Sequence, residues 1–322
     1  MQDSIVKQLE QRLGAIHARQ RLGIESSGAP RVFGGGINFF HPENWYSAHA
    51  LMRYALKLSG MYWKGRSNAA AIRVQPNVLA LTSLPADFDG FTVLHLSDLH
   101  IDLSADIAAS IIATVRLLTY DICVLTGDFR AATHGPIEPA LAGMEKLCQH
   151  LRAPIFGVLG NHDSVRMVPA FEQMGMRMLL NEHVPLQRND QFIYLAGIDD
   201  AHYFRVDNIE KAATAIPYDA CSILLSHTPE IYRQAAHAGF SAMLCGHTHG
   251  GQICLPGGIP ITLDARCPRR MGKGLWRYHN LVGYTSPGTG SCIVDVRINC
   301  PPEVTLHTLR VASKDGSRFS PG

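Results

Sequence analysis

The stretch Phe91-Thr-Val-Leu-His-Leu-Ser-Asp-Leu-His100 decides the fold of this 322-residue chain. Its apolar and β-branched residues, up to Ser97, are typical of a buried strand. Asp98 and His100 follow directly where that strand ends. Residues two apart on an extended chain point to the same side, so this carboxylate and this imidazole are expected to converge. The stretch therefore predicts a strand that delivers two polar side chains at its carboxyl end.

Four further stretches repeat this arrangement of an apolar run followed by polar residues. The runs are residues 120–126, 155–159, 221–225 and 242–245, followed respectively by Gly127-Asp128, Gly160-Asn161-His162-Asp163, Ser226-His227 and Gly246-His247-Thr248-His249. Helical patterns at residues 105–118 and 138–152 separate the first three strands. This βαβαβ order predicts an α/β fold, and in such folds ligands collect beyond the carboxyl ends of the strands.

The polar residues in these segments have the chemistry of metal ligands. Aspartates, one asparagine and five histidines are enough for two metal ions with one imidazole left over. Thiolates are absent from the set, which disfavours a structural cysteine-type zinc site, and mixed imidazole and carboxylate donors suit manganese, iron or zinc. The alternative is a set of scattered structural polar residues. We favour the metal site because all five segments occur in order at the ends of strand-like runs.

The order D-x-H, G-D, G-N-H-D, H and G-H-x-H resembles that of the calcineurin-like metallophosphoesterases, over roughly residues 91–310. The resemblance implies a four-layer αββα sandwich, in which two mixed β-sheets pack face to face with helices outside. It also implies a dinuclear centre of two divalent transition-metal ions, with manganese favoured over iron or zinc. In that pattern Asp98, His100, Asp128 and His249 would hold one ion, and Asn161, His227 and His247 would hold the second, with Asp128 bridging.

The same resemblance implies roles for residues that are not ligands. His162 would stand over the substrate as an acid that protonates the leaving oxygen, and Asp163 would orient it. Two cations about 3.5–4 Å apart activate a water and neutralise phosphoryl oxygens, so no protein nucleophile is needed. Arg130 follows Asp128 closely enough to fork onto a phosphate, although an ordinary surface arginine fits the pattern equally well.

Later segments are similar to a membrane-associated branch of the family, which includes UDP-2,3-diacylglucosamine pyrophosphatases. They are Gly250-Gly-Gln-Ile253, Gly288-Thr-Gly290 and residues 297–306. The similarity implies a phosphodiester or pyrophosphate substrate with a lipid- or nucleotide-linked group. Arg269 and Arg270 lie in a basic loop that could bind a pyrophosphate or headgroup, and a solvated basic loop is the equally compatible alternative.

Composition predicts one large core and limits the partners. A hydrophobic content of 46% with 17% charged residues suits a single catalytic domain, which we place at residues 71–312, after a helical extension at residues 1–70 and before a flexible tail at residues 313–322. Residues 1–70 carry an excess of five positive charges, so with a total of +2 the remainder is net −3. That remainder does not suggest the continuous basic groove of a nucleic-acid-binding protein.

The location predicted from the sequence is cytoplasmic. No segment has the pattern of a signal peptide, and no apolar run reaches the roughly 18–20 residues that span a bilayer. Residues 45–63 predict a single amphipathic helix, in which aromatic and aliphatic side chains surround a strip of Arg53, Lys57 and Lys64. This pattern resembles an interfacial helix at an anionic membrane surface, which would make the protein peripheral at the inner face. The alternative is a helix packed on the enzyme or on a partner.

The sequence therefore predicts a dinuclear metal-dependent phosphoesterase that hydrolyses a phosphodiester or pyrophosphate, with UDP-2,3-diacylglucosamine as one example of a substrate. Alternatives on the same centre are a phosphomonoesterase, a cyclic-nucleotide phosphodiesterase and a nuclease, and the ligands alone do not separate them. A non-catalytic binding scaffold is disfavoured because Asp98, His162, His247 and His249 are all present.

Overall fold

A computed structural model describes residues 2–27, 46–152 and 154–312. The tail predicted at residues 313–322 lies outside the described residues. The α-helices are α1 (Gln2–Leu13), α2 (Ala15–Ser27), α3 (Tyr46–Leu58), α4 (Met61–Ala70), α5 (Ala105–Val115), α6 (Glu138–Cys148), α7 (Val168–Gln173), α8 (Ile209–Ala213) and α9 (Tyr232–His237). The strands are β1 (Arg73–Leu81), β2 (Thr92–Leu96), β3 (Ile122–Leu125), β4 (Ile155–Gly157), β5 (Met176–Met178), β6 (Glu182–Arg188), β7 (Gln191–Gly197), β8 (Ser222–Leu225), β9 (Ala242–Cys245), β10 (Cys254–Leu255), β11 (Ile259–Pro260), β12 (Gly274–Tyr278), β13 (Leu281–Thr285) and β14 (Glu303–Val311).

Most strands belong to two mixed sheets of six strands each. The first has the order β1-β14-β2-β3-β4-β5, and the second has the order β12-β13-β9-β8-β7-β6. In the first sheet β2 to β5 are parallel, and β14 lies between β1, its parallel partner, and β2, its antiparallel partner. In the second sheet β13, β9, β8 and β7 are parallel, flanked by antiparallel β12 and β6.

The layers follow from the two-residue period of the strands. In β3, Ile122 and Val124 lie in the core between the sheets, whereas Cys123 and Leu125 lie in the core under the helices. In β9, Leu244 enters the same inter-sheet core and Met243 faces the opposite helical layer. Strands buried on both faces read as continuous apolar runs. The αββα sandwich expected from the sequence is confirmed.

The first two helices pack directly on the first sheet. Leu9, Leu13, Ala18 and Leu22 belong to the same buried cluster as residues of α5, α6 and α7. Residues 2–27 therefore add to the core beside the catalytic segments. Their assignment to a separate extension stays a prediction.

The single helix predicted at residues 45–63 is wrong. The chain forms α3 and α4 instead, and the break falls at Gly60, whose φ of 71° is the left-handed conformation that ends a helix. Trp45 lies outside the described residues. In the part of the chain that the structure describes, no helix is both long and apolar enough to cross a bilayer.

Candidate metal centre

The candidate site lies where the carboxyl ends of the two sheets meet. Asp98 follows β2 and His247 follows β9, and both carboxylate oxygens of Asp98 accept the backbone N–H of His247 at 3.0 Å. A second link joins the strands of the second sheet, because Gly246 N donates to the carbonyl of His227 at 2.8 Å. Side chains from different sheets are thus held around one point by backbone contacts. They are nearly all inaccessible to solvent.

One group of potential ligand atoms comprises Asp98, His100, Asp128 and His249, whose donor atoms lie within 4.8 Å of one another. The Nε2 atoms of His100 and His249 are 3.1 Å apart. Asp98 Oδ1 is 3.4 Å from His249 Nε2, and Asp128 Oδ2 is 3.7 Å from His100 Nε2. Atoms at these separations surround a space in which a cation could bind all four residues.

A second group comprises Asp128, His227 and His247, with donor atoms again within 4.8 Å. His227 Nε2 lies 3.3 Å from Asp128 Oδ2, 3.2 Å from His247 Nδ1 and 2.9 Å from Asn161 Oδ1. Asn161 therefore joins this group through its side-chain oxygen. Asp128 belongs to both groups, and the structure brings together all seven residues that the sequence predicts as metal ligands.

Hydrogen bonds on the far side of the rings orient the imidazoles. His100 Nδ1 is 2.8 Å from the carbonyl of Arg130, and His227 Nδ1 is 2.7 Å from the carbonyl of Thr126. Each of these bonds leaves Nε2 directed inward as a ligand atom, the arrangement typical of histidines that bind metals. The sequence could not indicate these partners, because they are backbone atoms of other strand ends.

Burial raises the pKa of the candidate carboxylate ligands and lowers that of several imidazoles, whereas the charge of Asp128 raises the pKa of His227 to about 10 although burial opposes it. Burial raises the pKa of Asp98, and burial raises the pKa of Asp128 to about 7. Burial lowers the pKa of His100 to about 3 and holds that of His249 well below its usual range. These imidazoles are therefore neutral near pH 7, which is the form that binds metals. Buried carboxylates beside neutral imidazoles fit a site for divalent cations.

The backbone around the ligands is unusual. Asp98, His100, Asp128, His247 and His249 all have positive φ, between 38° and 71°. Such conformations are uncommon for residues other than glycine and cluster at functional sites. This signal cannot be read from the sequence, which indicates no local need for a left-handed residue at these positions.

Two glycines of the sequence motifs are required by close approach. A Cβ on Gly160 would lie 2.2 Å from Asp128 Oδ1, and a Cβ on Gly246 would lie 1.8 Å from Ser97 Oγ. A larger residue at either position would displace a strand end that carries ligands. Gly160 thus allows the ends of β3 and β4 to approach each other within the first sheet, and Gly246 allows the end of β9 in the second sheet to approach the end of β2 in the first.

The side chains of His162 and Asp163 have different surroundings. The His162 ring is buried, with Nε2 3.9 Å from Asp128 Oδ2, and its Nδ1 has no hydrogen-bond partner among the described residues. The Asp163 carboxylate instead accepts the backbone N–H groups of Asp128 and Gly160 at 2.8 Å, of Phe129 at 2.9 Å and of Arg130 at 3.4 Å. In the described part of the chain these contacts do not include the His162 ring, and the orienting role predicted for Asp163 stays a prediction. Asp163 holds two loops together.

Arg130 is held by backbone carbonyls. Its side chain is buried, and its guanidinium donates to the carbonyls of His162 and Thr133, and to that of Gly135 at 3.2 Å. Three of the five N–H donors are thus taken by backbone oxygens, and the predicted phosphate contact of Arg130 stays a prediction. The sequence suggested a surface arginine as the alternative, which is wrong because the side chain is buried.

Arg269 and Arg270 are exposed on the turn before β12. Arg269 donates to the carbonyl of Pro260. The turn adjoins the site, because the side-chain hydroxyl of Thr248, between His247 and His249, donates to the backbone carbonyl of Gly272 at 2.6 Å. Their predicted contact with substrate stays a prediction.

Arg297 is a site residue whose role the sequence did not reveal. Its side chain is fully buried, Nη2 lies 3.3 Å from His249 Nδ1, and Nε donates to the carbonyl of Gly290 at 2.8 Å. Gly290 N in turn donates to the carbonyl of Asp98 at 2.9 Å. One arginine thus supports two of the candidate ligands from a segment remote in sequence.

Comparisons with known proteins agree with this geometry. Residues 91–251 match the family model described as calcineurin-like phosphoesterase. The chain is 32% identical over 228 residues to an uncharacterized metallophosphoesterase of Bacillus subtilis (strain 168), YkoQ, with 67% of this chain and 83% of the relative covered. It is 29% identical over 254 residues to a transmembrane protein with metallophosphoesterase domain of Danio rerio, with 73% of this chain and 56% of the relative covered. It is 25% identical over 237 residues to the phosphodiesterase YaeI of Escherichia coli (strain K12), covering 68% and 82%.

The contacts of Asp163 predict the effect of an isosteric change. Asp163→Asn keeps the shape but replaces one acceptor oxygen by an NH2 group that faces backbone donors. We expect a loss of roughly 1.5–3 kcal/mol in the free energy of unfolding, the worth of buried hydrogen bonds to a charged group, measured by denaturant titration in the presence of a chelator. Asp102→Asn is the matched control, because Asp102 accepts one backbone N–H, that of Ala131, at an exposed position. Wild-type stability combined with a purely kinetic defect would instead support the ring-orienting role.

Proposed function

Because the chain belongs to the calcineurin-like phosphoesterase family, whose members are metal-dependent hydrolases, we propose that it hydrolyses a phosphodiester or pyrophosphate at a dinuclear centre. The observation that carries the proposal is Asp128, whose carboxylate belongs to both ligand groups. The residues that would hold the ions are Asp98, His100, Asp128 and His249 for one, and Asp128, Asn161, His227 and His247 for the other. Manganese suits this mixed set of nitrogen and oxygen donors, and iron or zinc are the alternatives.

The bound ions would supply positive charge to the phosphoryl oxygens and an acidified water. The chain itself supplies His162, whose ring lies beside the shared carboxylate and whose backbone N–H donates to Asp128 Oδ1 at 2.9 Å. Burial and the neighbouring imidazoles lower the pKa of His162, so the ring can serve as an acid only if the negative charge of an arriving phosphoryl group raises that pKa. We assign His162 the transfer of a proton to the leaving oxygen.

The surface of α3 and α4 supports a lipid-linked substrate. Five large apolar side chains are exposed there: Leu51, Tyr54, Leu58, Met61 and Trp63. Arg53, Lys57 and Lys64 are exposed beside them, and residues 46–70 include no acidic residue. Exposed aromatic and aliphatic residues interspersed with cations are typical of a helix lying at an anionic membrane surface.

This surface is joined to the metal centre through Arg297. The carbonyl of Gly65 accepts the backbone N–H of Arg297 at 2.9 Å, and Asn68 Nδ2 donates to the carbonyl of Arg297 at 3.1 Å. Since the Arg297 side chain contacts His249, α4 and one candidate ligand are both bound to Arg297. Peripheral binding through α3 and α4 would hold the protein at the surface that carries a lipid-linked phosphoester.

The dinuclear proposal predicts the metal content and the preferred substrate. Purified protein should carry about two transition-metal ions per chain by elemental analysis, and Asp128→Asn should lower both occupancy and turnover, because it weakens the ligand that the ions share. Asp121→Asn is the control, since Asp121 precedes β3 at the opposite end of the strand and is exposed.

Turnover is measured with manganese on a phosphodiester, a phosphomonoester and a nucleotide-diphospho-lipid. We expect hydrolysis of the diester or the diphospho-lipid to exceed that of the monoester. One tightly held ion with full activity would contradict the dinuclear centre, and a preference for the monoester would contradict the substrate class.

The acid role of His162 predicts a dependence on the leaving group. His162→Ala should keep its metal content and lose roughly 10²–10⁴-fold in kcat on an alkyl phosphodiester, the usual worth of a positioned acid. The loss should be much smaller on a nitrophenyl ester, because nitrophenolate departs without a proton. Equal losses on both esters would show that His162 has another role.

The membrane proposal predicts binding to anionic vesicles. Each basic residue near such a surface is worth about 1 kcal/mol, so co-sedimentation should be measurable, sensitive to salt and weaker with neutral vesicles. Trp63→Glu should remove most of the binding with little change in Tm, because 68% of the Trp63 side chain is exposed. Tyr218→Glu is the matched control, an exposed aromatic before β8. Wild-type protein that stays in the supernatant at low salt would refute the proposal.

A further inference from the structure

An arginine of the N-terminal helices reaches the loop that carries His162. Arg21 lies on α2 and its side chain is fully buried. Its Nη2 donates to the carbonyl of Asp163 at 2.8 Å, and its guanidinium carbon lies 3.2 Å from the centre of the Phe204 ring. Its Nε lies 3.4 Å from Asp199 Oδ1. A buried arginine is costly to desolvate, and its hydrogen bond to Asp163 and its contact with Asp199 offset that cost.

Glu25, one helical turn after Arg21, binds the same loop. Its Oε1 accepts the backbone N–H of Val165 and its Oε2 accepts the hydroxyl of Ser164, both at 2.7 Å. Arg21 Nη1 lies 3.6 Å from Glu25 Oε1. Three consecutive residues after His162 are thus hydrogen-bonded to side chains of α2.

The helix that supplies these side chains is itself fixed on the fold. His17 Nε2 lies 2.8 Å from Asp199 Oδ2, and Ile24 packs in a buried cluster with Tyr203 and Phe204. On α1, the Arg12 guanidinium bonds Glu172 and Glu182 at 2.7 Å. The helix can therefore act as a rigid support. It lies outside residues 91–251, which match the family model.

We propose that Arg21 and Glu25 are positioning residues that hold the loop of residues 160–165 so that His162 meets the departing oxygen. The loop is held on one side by Asp128, which accepts the N–H of His162, and on the other by α2. The proposal rests on the proposed function in that His162 acts on the substrate. It adds that the N-terminal helices belong to the catalytic machinery by way of this loop.

The expected effect follows from the precision that catalysis requires. A displacement of about 1 Å in a catalytic group can cost about 10²-fold in rate. Removing the Glu25 acceptors frees Ser164 and Val165, which lie two and three residues after His162. We expect Glu25→Ala to lower kcat on an alkyl phosphodiester about 10–100-fold, with a smaller loss on the nitrophenyl ester.

The experiment uses the full chain and four variants. Glu25→Ala removes the contacts, and Glu25→Gln should restore most of the rate because it keeps one acceptor. Arg21→Lys keeps the charge but loses the planar fork that reaches Asp163 and Asp199 together. Arg19→Ala is the matched control, since Arg19 is exposed on the same helix and pairs only within the N-terminal segment, with Glu10, among its described contacts.

Three readouts accompany the rates: Tm, metal content, and hydrogen exchange of a peptide covering residues 160–167. In Glu25→Ala and Arg21→Lys, exchange in this peptide should rise while metal content stays at the wild-type value. Glu25→Ala should cause no further loss when it is combined with His162→Ala, because residues that act as a unit are not additive. The Arg19→Ala variant should match wild type throughout.

Two results would overturn the proposal. One is unchanged exchange in residues 160–167 in both variants. The other is a rate loss in Glu25→Ala that is equal on both esters and persists undiminished in the His162→Ala background, since a general structural defect would behave in this way. Failure of the acid role gives a different result: His162→Ala alone would then lose rate equally on both esters. The exchange and additivity measurements test the positioning role of Glu25 and Arg21 whatever step His162 performs.

Discussion

The site depends on the contact between two strand ends that Asp163 holds together. Its buried carboxylate accepts backbone N–H groups from Asp128, Phe129 and Arg130 after β3 and from Gly160 after β4. A carboxylate can be buried at acceptable cost when backbone donors surround it. Because these loops carry Asp128 and Asn161, the separation of these two ligands follows from this contact. Gly160 makes the same contact possible, because a side chain at this position would clash with Asp128.

A second constraint is the balance of charge at the centre. Asp98 and Asp128 are buried close together. Burial holds the imidazoles of His100 and His249 neutral, whereas the charge of Asp128 raises the pKa of His227 to about 10 although burial opposes it. An uncompensated buried carboxylate is expensive, so this arrangement is stable only with hydrogen-bond donors or cations nearby. Asp98 has the N–H of His247 and the distant charge of Arg297. Without such partners these buried carboxylates would destabilise the fold, yet they are the ligands that the family chemistry requires.

Much of the fold and most of the site could be predicted from the sequence. The strands that precede Asp98, Asp128 and Asn161 were predictable because continuous apolar runs followed by polar residues are typical of buried parallel strands. The break at Gly60 was missed because the apolar pattern continues across it, although a glycine at that point permits a left-handed turn. Sequence patterns report local periodicity, and they identify a helix boundary only where a cap residue is weighed against that periodicity.

The roles of Arg130, Asp163 and Arg21 could not be predicted, for one physical reason. Each side chain binds backbone atoms that are distant in sequence or belong to another loop, and such partners leave no pattern of residue types. A resemblance between motifs transfers the ligands, which are defined by their own chemistry. It does not identify side chains whose role is to hydrogen-bond backbone atoms, because the backbone of any segment offers the same donors and acceptors.

The position of β14 has a consequence for synthesis of the chain. This strand lies between β1 and β2, and Arg73 at the start of β1 pairs with Glu303 at the start of β14. Chains emerge from the ribosome with the N-terminal end first, so β1 must wait for almost the whole catalytic region before it meets its partner in the sheet. Pairing over such a separation is slow because a long loop must close first. The α4 helix, which packs on residues 296–298, waits equally long. The part of the catalytic region that is synthesised first is therefore among the last to pair with its partners in the fold.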